Sequence, residues 1–174
     1  MISSATVRNT LNFLLFQTGW LVCVLYPSLA ASLLALLFVI IHLLLVSTQR
    51  GAELRFIAVG VFLGSLMDSL WLNAGILGIE TPDAIQISPV WLVAIWALFM
   101  TTLCHSLNWV AKRAWLPFVL APCAGSFAYW SASKLGAVTL PNHAVSLVVI
   151  GAGWLVLFPL LLFIRNHLVR EPAS

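Results

Sequence analysis

"FIAVGVFLGSLMDSLWLNAGILGI", residues Phe56 to Ile79, is an apolar run with a single ionisable residue, Asp68, near its middle. Its length decides the fold class. About 20 apolar residues in a helix cross the ~30 Å hydrocarbon core of a bilayer. Lipid offers no partner to backbone N–H and C=O groups, so such a run has to be helical. Five more runs can be read: Thr10–Tyr26, Ser28–Thr48, Ser88–Val110, Trp115–Ser133 and Ala144–Ile164. The expected fold is an all-α integral membrane protein, a six-transmembrane-helix bundle forming one membrane domain over residues 1–174.

Composition points the same way. Hydrophobic residues make up 62% of the chain and charged residues 7%, where soluble proteins carry about 25% charge. "YPS" at Tyr26–Ser28 separates the first two runs. Fusing them would give five crossings, but proline breaks a helix interior and this tripeptide has turn chemistry. A cleaved leader ending near Ala31 is disfavoured because the apolar run resumes at once. No linker, repeat or soluble catalytic domain is evident, so any chemistry has to use groups in or at the bilayer.

The net charge of +3 would suit nucleic acid, but its placement argues for topology instead. With the N-terminus in the cytoplasm, Arg8, Arg50, Arg55, Lys112, Arg113, Arg165 and Arg170 fall inside and Lys134 alone falls outside. This is the positive-inside pattern, with both termini cytoplasmic. Glu80 and Asp83 then share an outer loop. An odd number of crossings would spoil the partition. A multi-pass membrane protein follows, with membrane lipids as partners and no nucleic acid.

Depth can be counted from the basic border at ~1.5 Å per residue. Gln17, His42 and His105 share a level about 10–13 Å in. Asp68 lies about 20 Å in, level with Ser126, and Trp71, Trp96, Tyr129 and Trp130 lie slightly beyond. Gly64, Asp68, Trp71 and Gly75 share one face of the third helix, and its glycines permit close helix approach. Thr101, Thr102, His105, Asn108 and Trp109 form a stripe on the fourth helix. Polar stripes turn away from lipid, so a polar-lined interior is expected.

Each residue has a plain structural use to weigh against a functional one. Hydroxyls such as Ser126 usually bond a carbonyl one turn back. Asn12 and Gln17 can tie helices together, and His42 reads as a packing histidine. Cys23, Cys104 and Cys123 show no paired or ligand spacing and read as apolar filler. Asp68 differs, because an Asp at the bilayer centre costs roughly 2.5–3.5 kcal/mol on insertion scales. Asn or Ser would tie helices at lower cost, and no Lys or Arg is expected at that depth. The resolution is a neutral acid that donates a hydrogen bond across the bundle, or a proton carrier. Asp68 and His105 are therefore the candidate catalytic groups. Gln17, Trp71, Trp96, Ser126, Tyr129 and Trp130 are the candidate ligand-binding set.

HExxH, paired CxxC, Walker and GxSxG motifs are absent. With one of five acidic residues expected inside, no metal site is read. Haem ligation by His42 and His105 is conceivable from their shared level, but nothing else supports it. No cofactor is named by the sequence.

"LNFLLFQTGWLVCVL" (Leu11–Leu25), "DSLW" (Asp68–Trp71), "PVWLVAIWALFMTTL" (Pro89–Leu103) and "FAYWSASKLGAV" (Phe127–Val138) resemble the bacterial inner-membrane family known as domain of unknown function 2878. The similarity covers nearly the whole chain, with Ser126 standing where the family's pattern would carry a proline. It implies a small polytopic protein and supplies no catalytic residues. Members of such families look to be encoded beside cyclopropane-fatty-acid-synthase-like and flavin-dependent oxidoreductase proteins, which implies a link to lipid modification and a lipid-modifying enzyme as partner. The functional expectation is a bundle that holds a lipid-like molecule and acts in or assists membrane-lipid modification. The alternatives are a non-enzymatic membrane subunit and a small proton-coupled transporter.

Overall fold

The structure is a computed structural model that describes residues 4–80 and 86–169. Asp83 and Arg170, to which the topology reading assigned sides, lie outside the described residues. The fold is all-α. Six α-helices are present among the described residues: α1 Ala5–Leu25, α2 Leu29–Leu45, α3 Arg50–Asn73, α4 Val90–Thr102, α5 Leu116–Lys134 and α6 His143–Leu168, with a 3₁₀ turn at Asn108–Lys112.

Capping explains where these helices begin and end. Ser28 accepts the Ala31 N–H at 3.2 Å, directly after the break at Pro27, so α1 and α2 are separate helices. Two helices end in the same device. Gly75 and Gly136 adopt φ +68° and +87°, a region that glycine enters without the Cβ penalty. At each, the glycine N–H and the next N–H bond back to Leu72 and Trp71 in α3, and to Ser133 and Ala132 in α5. This is the Schellman arrangement. Gly78 and Thr139, each three residues further on, then exchange both backbone hydrogen bonds at 2.8 and 2.9 Å. Asp68 and Tyr129 each lie seven residues before their capping glycine. The paired caps thus hold the two side chains at one level.

Two helices, α3 and α4, differ most from the hydropathy reading. α3 starts at Arg50 rather than Phe56 and stops before Ile79, so Glu53 belongs to the helix and is buried. α4 ends at Thr102 rather than Val110. Its last hydroxyls, on Thr101 and Thr102, bond back to the Leu98 and Phe99 carbonyls at 2.7 and 2.6 Å, which competes with helix continuation. The Leu103 carbonyl is taken instead by Arg165 of α6 at 2.9 Å. His105 therefore sits in a turn, not on a helical stripe. Among the described residues, α3 and α6 are the helices long and apolar enough to cross a membrane, while α2 and α4 are shorter apolar helices.

α4 packs against α1, α2 and α3, and α6 against α3 and α5. Large apolar side chains face outward around the bundle, among them Leu33, Ile40, Phe62, Leu70, Val148 and Val156. Asn12, His42, Glu53, Asp68, Thr102 and Arg165 are buried within it. The interior is otherwise apolar, so it is the outward apolar surface that departs from a soluble domain, whose exposed apolar patches are small.

Candidate functional site

Three features converge in the bundle: a buried acid behind an aromatic wall, a histidine–glutamate network, and a long apolar cleft. Asp68 is fully buried. Gly64, one turn earlier on α3, has no side chain, and Trp96 of α4 lies directly over it. That close approach brings the indole N–H to Asp68 Oδ2 at 2.6 Å. The other oxygen accepts the Tyr129 hydroxyl of α5. Trp71 packs edge-on against Tyr129, with ring centroids 5.4 Å apart. In this arrangement the Trp96 N–H and the Tyr129 hydroxyl each meet one oxygen of the carboxyl. Trp N–H and Tyr O–H are the donors the acid lacked when only Lys and Arg were considered.

The second cluster lies at the opposite end of α3. His42 Nε2 and His105 Nε2 meet Glu53 Oε2 at 3.0 and 3.1 Å. Asn12 of α1 fixes the arrangement. Its Oδ1 accepts the Ser106 N–H at 3.3 Å and the Ser106 hydroxyl at 2.6 Å. Its NH₂ is therefore the group that faces His42 Nδ1, at 3.1 Å, and Thr101 Oγ1, at 2.9 Å. An imidazole nitrogen that accepts leaves the proton on the other nitrogen, so His42 is neutral with its N–H on Nε2, donating to Glu53. Haem ligation by the two histidines finds no support, because both imidazoles are turned onto the carboxylate between them.

A metal would fit this triad poorly as it is arranged. The ligand atoms spread up to 4.8 Å apart, whereas two Zn–N bonds of about 2.0–2.1 Å span ~4.2 Å at most. A ligating histidine also usually donates its second N–H to an acceptor, and Asn12 presents a donor to His42. The cluster is a closed hydrogen-bond network joining α1, α2, α3 and the turn after α4.

The cleft runs between α1 and α5, floored by α4 and α6, with a volume of about 590 Å³. Gln17, Trp109, Phe127 and Leu135 line it and are exposed, marking its mouth. Trp96 and Trp154 form its floor, stacked with centroids 5.2 Å apart and planes at 15°. The Trp154 indole N–H is buried there without a partner among the described residues. Lining positions on α5 extend from Leu120 to Ala132, about 18 Å along the axis at 1.5 Å per residue.

The sequence-predicted residues distribute unevenly over these features. Gln17, Trp96 and Tyr129 line the cleft, while Trp71 supports Tyr129 from behind. Ser126 faces α6 and donates to the Leu147 carbonyl at 2.9 Å. Trp130 packs on Phe127 and lies 5.9 Å from the Lys134 ammonium. Asp68 stands behind the cleft wall, held by two of the wall's own residues. His105 belongs to the Glu53 network.

Residues 9–160 match the sequence pattern of a family described as "Protein of unknown function (DUF2878)". The chain belongs to the DUF2878 family. No curated protein and no solved structure was found to match it. Glu53 and Arg165 were missed from the sequence of this DUF2878 chain, because both sit at the charged edges of apolar runs: Arg165 was counted with the basic border and Glu53 was not singled out. One signal for Glu53 was available: an acid in the first turn of a helix favours its N-terminus.

Proposed function

We propose that this is a multi-pass protein of the bacterial inner membrane whose side cleft accommodates the hydrocarbon chain of a lipid, and that it acts in or assists membrane-lipid modification. The observation that carries the reading is the cleft itself. Its volume of about 590 Å³ falls within the 300–1,000 Å³ usual for small-molecule sites. Its walls are apolar and aromatic, and its length suits an extended acyl or prenyl chain. The unpartnered Trp154 N–H adds to this, since buried donors in native proteins nearly always have partners that an occupant could supply. The outward-facing Leu, Ile and Phe side chains support immersion in lipid.

The test is direct. Purified in a mild detergent, the parent protein is expected to retain a recurring lipid detectable by mass spectrometry. Ala128 lines the cleft, and Ala128→Trp fills it. That variant should fold and carry no more than bulk phospholipid. Equal retention by both proteins would sink the reading.

Topology is tested separately. Reporter fusions after Arg170 and within Arg50–Arg55 are expected to read cytoplasmic, and a fusion at Pro82 periplasmic. A periplasmic C-terminus would remove the six-crossing arrangement.

A membrane-subunit role is favoured by one specific observation: the Asp68 and Glu53 networks are satisfied internally. Proton-coupled transport has less support. Met100, fully buried, packs over Gly60 on the stretch of α3 between the two acids.

A further inference from the structure

Arg165 is a buried charged group that neither the cleft nor the two acids explain. It is 6% exposed. Its Nη1 donates to the Leu103 carbonyl at 2.9 Å and to Asn108 Oδ1 at 2.7 Å. Its Nε and Nη2 both donate to Asn166 Oδ1, at 3.1 and 2.8 Å. Every one of these acceptors is neutral, and no carboxylate lies within ion-pair distance of it among the described residues. A guanidinium has five N–H donors, so one remains for another acceptor. A buried charge is costly unless it is paired, which makes a buried cation with only neutral partners an invitation to an anion.

The surroundings have the shape for one. Arg165, Asn166, Asn108, Ala111 and Lys112 border a second pocket, of about 420 Å³. Among the described residues it holds two cations and no acid. The 3₁₀ turn Asn108–Lys112 is the partition between this pocket and the cleft. Leu107, Trp109 and Val110 face the cleft, and Asn108, Ala111 and Lys112 face the basic pocket. Adjacent residues of one turn thus line an apolar trough on one side and a cationic cup on the other.

We infer that the Arg165–Lys112 pocket binds the phosphate head group of a lipid whose chain lies in the cleft. This rests on the cleft reading and names the class of its occupant: an anionic, phosphate-bearing lipid, entered from the cytoplasmic leaflet. Arginine suits the role because its planar fork matches phosphate oxygens. The vertical order fits as well. The pocket lies at the basic end of α6, and the cleft extends from there along α5 toward its outer end, as head and tail do in one leaflet.

Asn166→Asp is the discriminating variant. Asn166 is exposed and already accepts from the guanidinium, so an aspartate there pairs with Arg165 and neutralises the pocket while strengthening the local fold. The purified full-length protein in a neutral detergent is titrated with dioleoylphosphatidic acid, with dioleoylglycerol of identical chains, and with inorganic phosphate. Bound lipid is read by native mass spectrometry. The expected result is binding of phosphatidic acid at least about tenfold tighter than of diacylglycerol, the order expected of one charge-assisted contact. That preference should vanish in Asn166→Asp and fall in Lys112→Gln.

Equal binding of both lipids, lost in Ala128→Trp, would overturn the head-group site and leave the cleft reading standing. Loss of both lipids in the parent would overturn the cleft reading and this one with it. Inorganic phosphate that competes as well as phosphatidic acid would also overturn the proposal, because the pocket would then serve free phosphate.

Discussion

Asp68→Leu is expected to destabilise the bundle by about 2–4 kcal/mol, while Asp68→Asn should cost less than about 1 kcal/mol. Leucine strands two buried donors, the Trp96 N–H and the Tyr129 O–H, and each orphaned group costs roughly 1–3 kcal/mol. Partial satisfaction in the unfolded, membrane-inserted state pulls the sum toward the lower end. Asparagine retains an acceptor for the indole, and its NH₂ can donate to the tyrosine oxygen once that hydroxyl rotates. Unfolding in mixed detergent micelles checks both values. Reading Asp68 as a proton carrier leads to a folded but inactive Asn variant. The geometry supports another outcome, because the carboxyl stands behind the cleft wall: Asp68→Asn should retain lipid like the parent. An Asn variant that folds normally yet loses every bound lipid would return Asp68 to the chemistry itself.

Glu53→Ala should be the more damaging substitution, by about 3–5 kcal/mol, the usual cost of removing one partner from a buried charged cluster. Glu53 is 3% exposed and accepts from two imidazoles carried by α2 and by the turn after α4. Its loss leaves the His42 N–H with no acceptor, because Asn12 prevents His42 from shifting its proton to Nδ1. Glu53→Gln keeps one oxygen able to accept from His42 and should lie between alanine and the parent. Thermal unfolding followed by near-ultraviolet circular dichroism would rank the three proteins. An alanine variant as stable as the parent would show that the helices at this end are held by apolar packing alone.

Much of the helix layout was legible in the chain. Apolar run length, the break at Pro27 and the scarcity of charge specify an all-helical chain, because those signals are local and concern a helix with itself. The glycines at 75 and 136 were legible in principle for the same reason, since a helix end needs φ above zero within the backbone. Hydropathy overran two ends. It continued α3 to Ile79 and α4 to Val110, because apolarity does not register a Schellman cap or a pair of threonine hydroxyls bonding backward.

What only the tertiary structure decided is pairing. Asp68 was conspicuous as a lone acid in an apolar run, but its partners, Trp96 and Tyr129, lie 28 and 61 residues away, and no local pattern links them. Their meeting depends on Gly64 admitting an indole and on two loop glycine caps joined through Gly78 and Thr139. His42 and His105 share a depth that could be counted in the chain, yet Glu53 between them could not be found by counting. It sits beside Arg50 and Arg55, and hydropathy treats all three as one charged border. Which way each side chain turns, Glu53 inward and Arg55 outward, is set by the helix's rotation against α2 and α4. That rotation is a property of packed neighbours, and a one-dimensional pattern does not carry it.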